Sequence, residues 1–515
     1  MPVRVIGWAV AGLVAVYAAA AFLVAPAMYT DSAWGFLVAD SMARGAAFNH
    51  LVIPDPGDIG HDKHLFLAVW SPGQYVFAAT LERAGLTLGA ALTVVTTAFT
   101  VLGLVGWYRV YRSWGFPTSS AAVAILITTG SRHLALPFGI YNGGEVLLFG
   151  GAPWFLLLLQ RWRKLSVAQA VGVLIAFAAL AFLKLAALVL AFAALAALVI
   201  GDLWPLTRIR WRRPLTAAAI ALVFAVGFYV FWYAKGYTAA DSNGASAWFL
   251  LAPRFLEGWA ATVTGMVSLG DFAARILRRP GAPILPSLDT LYLVAALPAV
   301  ALLVFVRRQL AATHADYAKF ATAFALFYVA MMAFLYARGG PLLMEDRFFR
   351  PLSMVLLVGV VHVAAGAANR IRLPLAALAG ATMLYGISSY FVRLDHNAHS
   401  PLGRRGFHHM TLTHDGLALM RRTLDGAWQG GTIAYVMAPE IALEIEGARV
   451  IISAEGEGQL GQRIYKSRIA RLFVFVDDKS DGRADTMLRS FVDYDRRDWA
   501  STKSGDAAVF SQQTE

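Results

Sequence analysis

Along residues 1–391 the apolar positions come in long unbroken runs, with no amphipathic rhythm, and most runs approach the roughly 20 residues that cross a bilayer core. They predict spans at 5–25, 88–107, 118–136, 140–159, 167–183, 185–203, 214–234, 289–306, 318–337, 351–368 and 373–391, about eleven in all. A lone lysine, Lys184, divides the stretch 167–203, which reads as a helical hairpin. The first run follows Arg4 as a secretory signal would, but its length and the poor cleavage site at Pro26-Ala27-Met28 predict a retained span. Segments 32–48 and 65–83 mix aromatic and polar residues and are too interrupted to span, so they predict helices lying along the membrane plane.

After Tyr390 the pattern becomes that of a soluble domain. Thr432–Met437, Val450–Ser453, Leu472–Val476 and Ala507–Ser511 read as short strands, with helices at 414–426, 439–446 and 483–493. The predicted architecture is an α-helical polytopic membrane domain, residues 1–391, with long outer connections at 27–86 and 235–288, followed by a small α/β domain, residues 392–515. That second domain contains no P-loop or nucleophile-elbow motif and reads as a recognition or packing module.

Composition sharpens this picture. With 58% hydrophobic and 15% charged residues, most of the chain is excluded from water. The absence of cysteine removes thiolate metal sites and cysteine nucleophiles. The net charge of +12 suggests nucleic acid until its location is considered: residues 392–515 carry 16 basic and 17 acidic residues, leaving 28 against 15 in the hydrophobic part. Arg109 and Arg112, then Arg161, Arg163 and Lys164, then Arg208, Arg210, Arg212 and Arg213, then Arg307 and Arg308, then Arg370 and Arg372 fall in alternate short connections. By the positive-inside rule these loops are cytoplasmic, which predicts a multi-pass protein of the inner (plasma) membrane with a cytoplasmic N-terminus and residues 392–515 extracytoplasmic. A nucleic-acid partner is not expected.

The outer connections hold the candidate chemistry. Six of the fifteen acidic residues of the membrane part lie in 27–86: Asp31, Asp40, Asp55, Asp58, Asp62 and Glu82. Asp31 follows the first span directly, at the membrane–water boundary, where it is either functional or a helix N-cap. In His61-Asp62-Lys63-His64 the two histidines, with Asp58 and Asp62, suit a divalent ion (Mg or Mn, with Asp31 and His61 as candidate ligands), and Lys63 suits a phosphate. The substrate-facing candidates are Asp62, His64, Trp70 and, in the second outer connection, Tyr141. Glu145 enters a span, a costly position for a charge unless it is paired or faces a wet cavity; Arg132 is the nearest partner in sequence. Arg347 and Arg350 lie in an outer connection where arginine is normally scarce, and are either phosphate ligands or ion-pair partners of Glu345 and Asp346.

These residues form a recognisable set. A long first outer loop with Asp31 at its start, Trp70-Ser71-Pro72-Gly73-Gln74-Tyr75 before the second span, Glu145 entering the fourth, and Asp346-Arg347-Phe348-Phe349-Arg350-Pro351 opening a late span resemble the GT-C membrane glycosyltransferases. That superfamily uses polyprenyl-phosphate sugars and includes protein mannosyltransferases and the aminoarabinose transferase of lipid A. The resemblance implies transfer of a sugar, with inversion, from a polyprenyl-phosphate donor to a glycan, lipid or protein acceptor outside the membrane. It implies Asp31 as base or metal contact, Glu145 as the second-loop acid, and Arg347 as the residue meeting the lipid phosphate. One departure is Ser32, which follows Asp31 where many members have a second acid, and it leaves the base and the metal dependence open. The competing classes are an O-antigen-type ligase or polymerase, which uses similar carriers, and a transporter, which predicts internal repeats with helices broken near the midplane.

Overall fold

The computed structural model describes all residues except 1, 56–57, 163–165, 204–211, 237–249, 278–287, 339–344, 425–431, 446–448, 453–470, 478–486, 490–498, 506 and 514–515. The chain opens with helix α1 (Val3–Leu23), strand β1 (Ala27–Met28), helix α2 (Thr30–Ala43), strands β2 (His50–Asp55) and β3 (Asp58–Phe66), and helix α3 (Gly73–Arg83). Then come α4 (Leu88–Ser113), α5 (Thr118–Gly130), α6 (Arg132–Ala135), β4 (Ile140–Tyr141), α7 (Gly144–Arg161), α8 (Val167–Leu183), α9 (Ala187–Leu203) and α10 (Arg212–Phe231). They are followed by α11 (Leu251–Gly265), α12 (Leu269–Leu277), α13 (Leu288–Thr313), α14 (Ala315–Ala337), α15 (Asp346–Gly366) and α16 (Asn369–Ala398). The tail contains α17 (His414–Leu424), β5 (Thr432–Val436), α18 (Pro439–Ala442), β6 (Arg449–Ile452), β7 (Arg471–Asp477), β8 (Ala500–Ser504) and β9 (Ala507–Gln513).

Among the described residues seven helices, α1, α4, α10, α13, α14, α15 and α16, are long and apolar enough to cross a membrane. An eighth span results if α5 and the helical turns after it, bent by 62° at their junction, count as one. This is fewer than the eleven that hydropathy predicts. Lys184 takes up extended backbone between α8 and α9, leaving each with 17 residues, about 25 Å at ~1.5 Å per residue and short of the ~30 Å core. Helix α7 carries Glu145 in its first turn, Pro153 inside it and Arg161 in its last turn, so its apolar stretch is also short. The exposed side chains of α10 are large and apolar (Leu222, Val223, Val226, Tyr229 and Phe231), as expected of a surface facing hydrocarbon.

The chain forms two compact units. The first comprises residues 1–19, 96–138 and 144–392 and is almost wholly helical. Helices α4 and α7 meet at glycine: a Cβ on Gly150 would lie 2.6 Å from the Phe99 ring, and one on Gly103 would strike Phe149. Elsewhere α11 packs on α13, α14 and α15, and α9 on α14. At the start of α15, buried Asp346 accepts hydrogen bonds from Thr264 Oγ1 of α11 at 2.6 Å and Tyr292 Oη of α13 at 2.8 Å.

The second unit comprises residues 20–95, 139–143 and 393–515. Its centre is a five-stranded mixed sheet in the order β6-β5-β7-β9-β8, with β5 parallel to β6 and β7, and β9 antiparallel to β7 and β8. All four expected strands are present. Strand β8 was not legible because Ala500–Ser504 is exposed and polar, and the helix expected at 439–446 is only the single turn α18. Of the helix expected at 483–493, only residues 487–489 are among those described. The segment expected as two interfacial helices contains, between α2 and α3, the antiparallel hairpin β2–β3. Ile59 of this hairpin is fully buried against Ile433, Tyr435, Ile451 and Leu472, so the segment 27–86 and the tail share one core. Charge reinforces it: Arg405 bridges Asp40 at 2.8 Å and Glu82 at 2.6 Å, and Arg449 meets Asp62 at 2.7 Å.

Candidate active site

In the helical unit a narrow cleft of about 20 Å³ lies at the N-terminal ends of α7 and α15 and the break between α8 and α9. Its lining includes Glu145, Lys184, Arg347, Arg350, Phe348 and Trp107, three cations against one carboxylate. Glu145 occupies the first turn of α7, where the helix dipole favours negative charge. Its partner is Lys184, at 2.5 Å, with the two side chains only 12% and 14% exposed. Arg132, the neighbour expected from sequence, instead bridges Asp271 at 2.7 Å. Lys184 reaches Glu145 because the helix breaks there; its ammonium also lies 5.9 Å from the centre of the Phe348 ring.

The two arginines differ. Arg347 is one-third exposed, pairs with Glu345 at 2.9 Å and stacks 4.8 Å over Phe348. Arg350 is buried, lies 5.1 Å over Phe149, and donates from Nη1 to the His133 carbonyl at 2.6 Å. Its Nη2 and the Nε1 of buried Trp107 have no hydrogen-bond partner among the described residues. Buried donors are almost always satisfied, so two unsatisfied ones in a cleft of net positive charge suit an anion with several acceptor oxygens. The expected alternative, an ion-pair cluster of Arg347 and Arg350 with Glu345 and Asp346, is formed only between Arg347 and Glu345.

The other unit holds a second cluster. Asp31 is exposed and stands second in α2, whose N-cap is Tyr29, so it is not the capping residue its place in sequence allows. Behind it Ser32 is buried, and among the described residues its Oγ has no hydrogen-bond partner; Ser71 Oγ and Asn142 Oδ1 are likewise buried without partners among them. They converge around Gln74: a Cβ on Gly143, whose φ is +72°, would lie 2.7 Å from Gln74 Oε1 and 3.1 Å from Ser32 Oγ, and Tyr141 Oη donates to the Gln74 carbonyl at 2.6 Å. Only glycine allows both this left-handed backbone and that approach. Nearby in sequence, Trp34 and Trp70 stack with ring centres 6.3 Å apart and planes at 15°. Unsatisfied hydroxyl and amide oxygens beside flat aromatic surface suit a polyhydroxylated ligand.

The hairpin residues are placed differently. In β3, residues three apart point to opposite faces, which separates His61 and Lys63 from Asp62 and His64, and all four are exposed. Asp62 is engaged by Arg449. Among the described residues no three His, Asp or Glu side chains come together to hold a metal ion, so no step below passes through one. Lys63 belongs to the sheet-containing unit and Arg347 and Arg350 to the helical one. Sequence reasoning missed Lys184 as a site residue, although a single lysine within an apolar stretch is a signal for one. It also passed over Trp34, Ser32, Gln74 and Asn142, which only the fold assembles.

No family model matches the chain, and no curated protein matches it either. Solved structures do. ArnT from Cupriavidus metallidurans bound to undecaprenyl phosphate matches over 99% of this chain and 98% of its own, with a TM-score of 0.53 and 12% identity. Arabinofuranosyltransferase AftD from Mycobacteria matches over 97% of this chain and 41% of its own, with a TM-score of 0.50 and 14% identity. The fold is therefore GT-C-like, as the sequence motifs suggest, in a multi-pass helical membrane protein with a small sheet in its C-terminal part.

Proposed function

We propose that this protein is a membrane glycosyltransferase that moves a sugar from a polyprenyl-phosphate donor to an acceptor hydroxyl of a glycan, lipid or protein outside the membrane. The observation that carries the proposal is the cleft of Lys184, Arg347 and Arg350 around Glu145, with a buried guanidinium nitrogen left unsatisfied. The undecaprenyl phosphate held by the similar ArnT structure supports the choice of anion. A transporter reading predicts a site within repeated, midplane-broken helices, whereas these charges gather at helix ends.

Asp31 takes the proton from the acceptor hydroxyl as that oxygen attacks the anomeric carbon. The carbon–oxygen bond to the lipid phosphate breaks, and its electrons pass to the phosphate, where Arg350, Arg347 and Lys184 stabilise the charge. Displacement from the opposite face inverts the anomeric centre. Glu145, held by Lys184, is a positioning residue that sets the ammonium in the cleft. The cluster of Ser32, Ser71, Gln74, Asn142, Trp34 and Trp70 takes part in sugar or acceptor recognition together with Tyr141, Asp62 and His64 are further substrate contacts, and Lys63 is a further phosphate contact.

The orientation has a cytoplasmic N-terminus and the sheet-containing tail outside, in two domains, 1–391 and 392–515. It is supported by basic residues at the end of α4, at the starts of α10 and α16, and by Arg307 and Arg308 in the C-terminal part of α13. With α4 ending and α10 starting on the cytoplasmic side, the helices between them cross an even number of times. The test is to incubate purified protein with a panel of polyprenyl-phosphate sugars and acceptors and to follow release of free lipid phosphate. Acceptor-dependent release supports the proposal; no turnover and no binding across the panel overturns it.

A further inference from the structure

The helical unit carries a second charged cleft that the proposed reaction does not use. It has an empty volume of about 2640 Å³ and lies among the end of α4, the end of α7 and the start of α14, with Arg213 of α10. Arg109, Arg112, Arg161, Arg213 and Lys319 line it, against the single carboxylate of Asp316. Among the described residues, Arg109, Arg112, Arg161 and Lys319 form no ion pair, and all four are exposed. The arginines are positioned by other means: Arg109 lies 5.4 Å over the Trp154 ring, and Arg112 donates to the Phe116 carbonyl. Trp114 and Trp154 add aromatic surface.

Three features fix the kind of ligand. The charge excess calls for an anion. The cations sit near the ends of α4, α7 and α14, of which α4 and α14 are long and apolar enough to cross a membrane, and helix ends of that kind meet the headgroup region. Tryptophan and leucine beside them (Leu157, Leu158 and Leu198) offer contact to an acyl chain. We propose that this cleft binds the headgroup of an anionic phospholipid of the phosphatidylglycerol class, with its phosphate among Arg109, Arg112 and Arg161 and its chains along α4 and α7. Basic pockets between membrane helices on the side rich in Lys and Arg are suited to such headgroups. The site is separate from the cleft at Arg350, and the proposal does not depend on the enzymatic reading.

The test uses the full-length protein in nanodiscs of phosphatidylcholine containing 20% phosphatidylglycerol, with retained lipid measured by native mass spectrometry after release, on the wild type, R109Q/R161Q and R109K/R161K. Phosphatidylglycerol should be retained over phosphatidylcholine. R109Q/R161Q should weaken retention about thirtyfold, at roughly fivefold per removed charge, and R109K/R161K should keep most of it. Equal retention of both lipids, or no change in R109Q/R161Q, overturns the proposal. Loss in R109K/R161K as well means the site is not read by charge, and also overturns it. Displacement of the lipid by millimolar inorganic phosphate would identify a site for a free anion instead of a lipid.

Discussion

Removing Lys184 separates its two roles. The Lys184–Glu145 pair is 2.5 Å long and nearly nine-tenths buried on both sides. In Lys184→Met the Glu145 carboxylate stays buried beside apolar Phe149 and Leu148 with its cation gone. Breaking such a pair from one side costs about 3–5 kcal/mol when the remaining charge is uncompensated, an upper bound here because Arg347 and Arg350 line the same cleft. The same change takes one of three cations from the cleft, and a charge-assisted bond to phosphate is worth about 1.5–3 kcal/mol, roughly ten- to a hundredfold in affinity. The double variant Lys184→Met/Glu145→Leu distinguishes the two losses. Replacing both partners with apolar side chains of similar volume is close to neutral for stability, so the fold should recover while donor affinity stays low. Thermal unfolding in detergent gives the first quantity and equilibrium binding of a fluorescent polyprenyl phosphate the second. If the double variant regains wild-type affinity, the ammonium does not meet the phosphate. If Lys184→Met unfolds like the wild type, the buried pair contributes nothing and the reasoning about Glu145 fails.

Other outcomes follow from the same geometry. Arg350→Ala should weaken polyprenyl-phosphate binding about ten- to a hundredfold, and by more than Arg347→Ala, because Arg350 is buried with a free donor while Arg347 is shared with Glu345; equal effects in a binding isotherm would contradict this ranking. Asp31→Asn should lower turnover by roughly 10²–10⁴-fold and leave donor affinity intact; since Tyr29 holds the cap position, near-normal turnover would remove Asp31 as the base. Glu444 supplies a pH dependence to the sheet-containing unit: burial pushes its carboxyl up, but the hydrogen bond and charge of His409, the Arg404 amide and Arg421 together hold it below its ordinary value of 4.5. A carboxyl depressed by folding stabilises above its unfolded value and loses that contribution as pH falls through the folded one. Unfolding should therefore steepen below about pH 4.5, and Glu444→Gln should flatten the profile there; identical acid profiles would refute the assignment.

Much of the architecture was legible because hydrophobic run length reports directly on what must avoid water. It placed the seven long apolar helices and the break at Lys184, and it overcounted spans because α8 and α9 on either side of that break, and α7 with its terminal charges, fall short of a full crossing. Lys184 breaks the stretch 167–203 in order to reach Glu145, a tertiary cause invisible in either segment. Hairpin β2–β3 was missed for a similar reason: His61-Asp62-Lys63-His64 has no apolar alternation, and the hairpin is anchored by Ile59 in a core contributed largely by residues more than 370 positions later. Glu145, Arg347 and Arg350 were visible as charges where charge is expensive. Ser32, Gln74, Asn142 and Trp34 were not, since small polar and aromatic residues become informative only when the fold leaves their oxygens unsatisfied or stacks their rings.

The central claim is that the lipid phosphate of the donor sits in the cleft of Lys184, Arg347 and Arg350. The most direct measurement is a cryo-electron microscopy structure of the protein with added polyprenyl phosphate. The account predicts phosphate density within hydrogen-bond distance, about 2.7–3.2 Å, of Arg350 Nη2, with Lys184 or Arg347 as a second contact. Density for the phosphate elsewhere, with Arg350 Nη2 still unsatisfied, would contradict it.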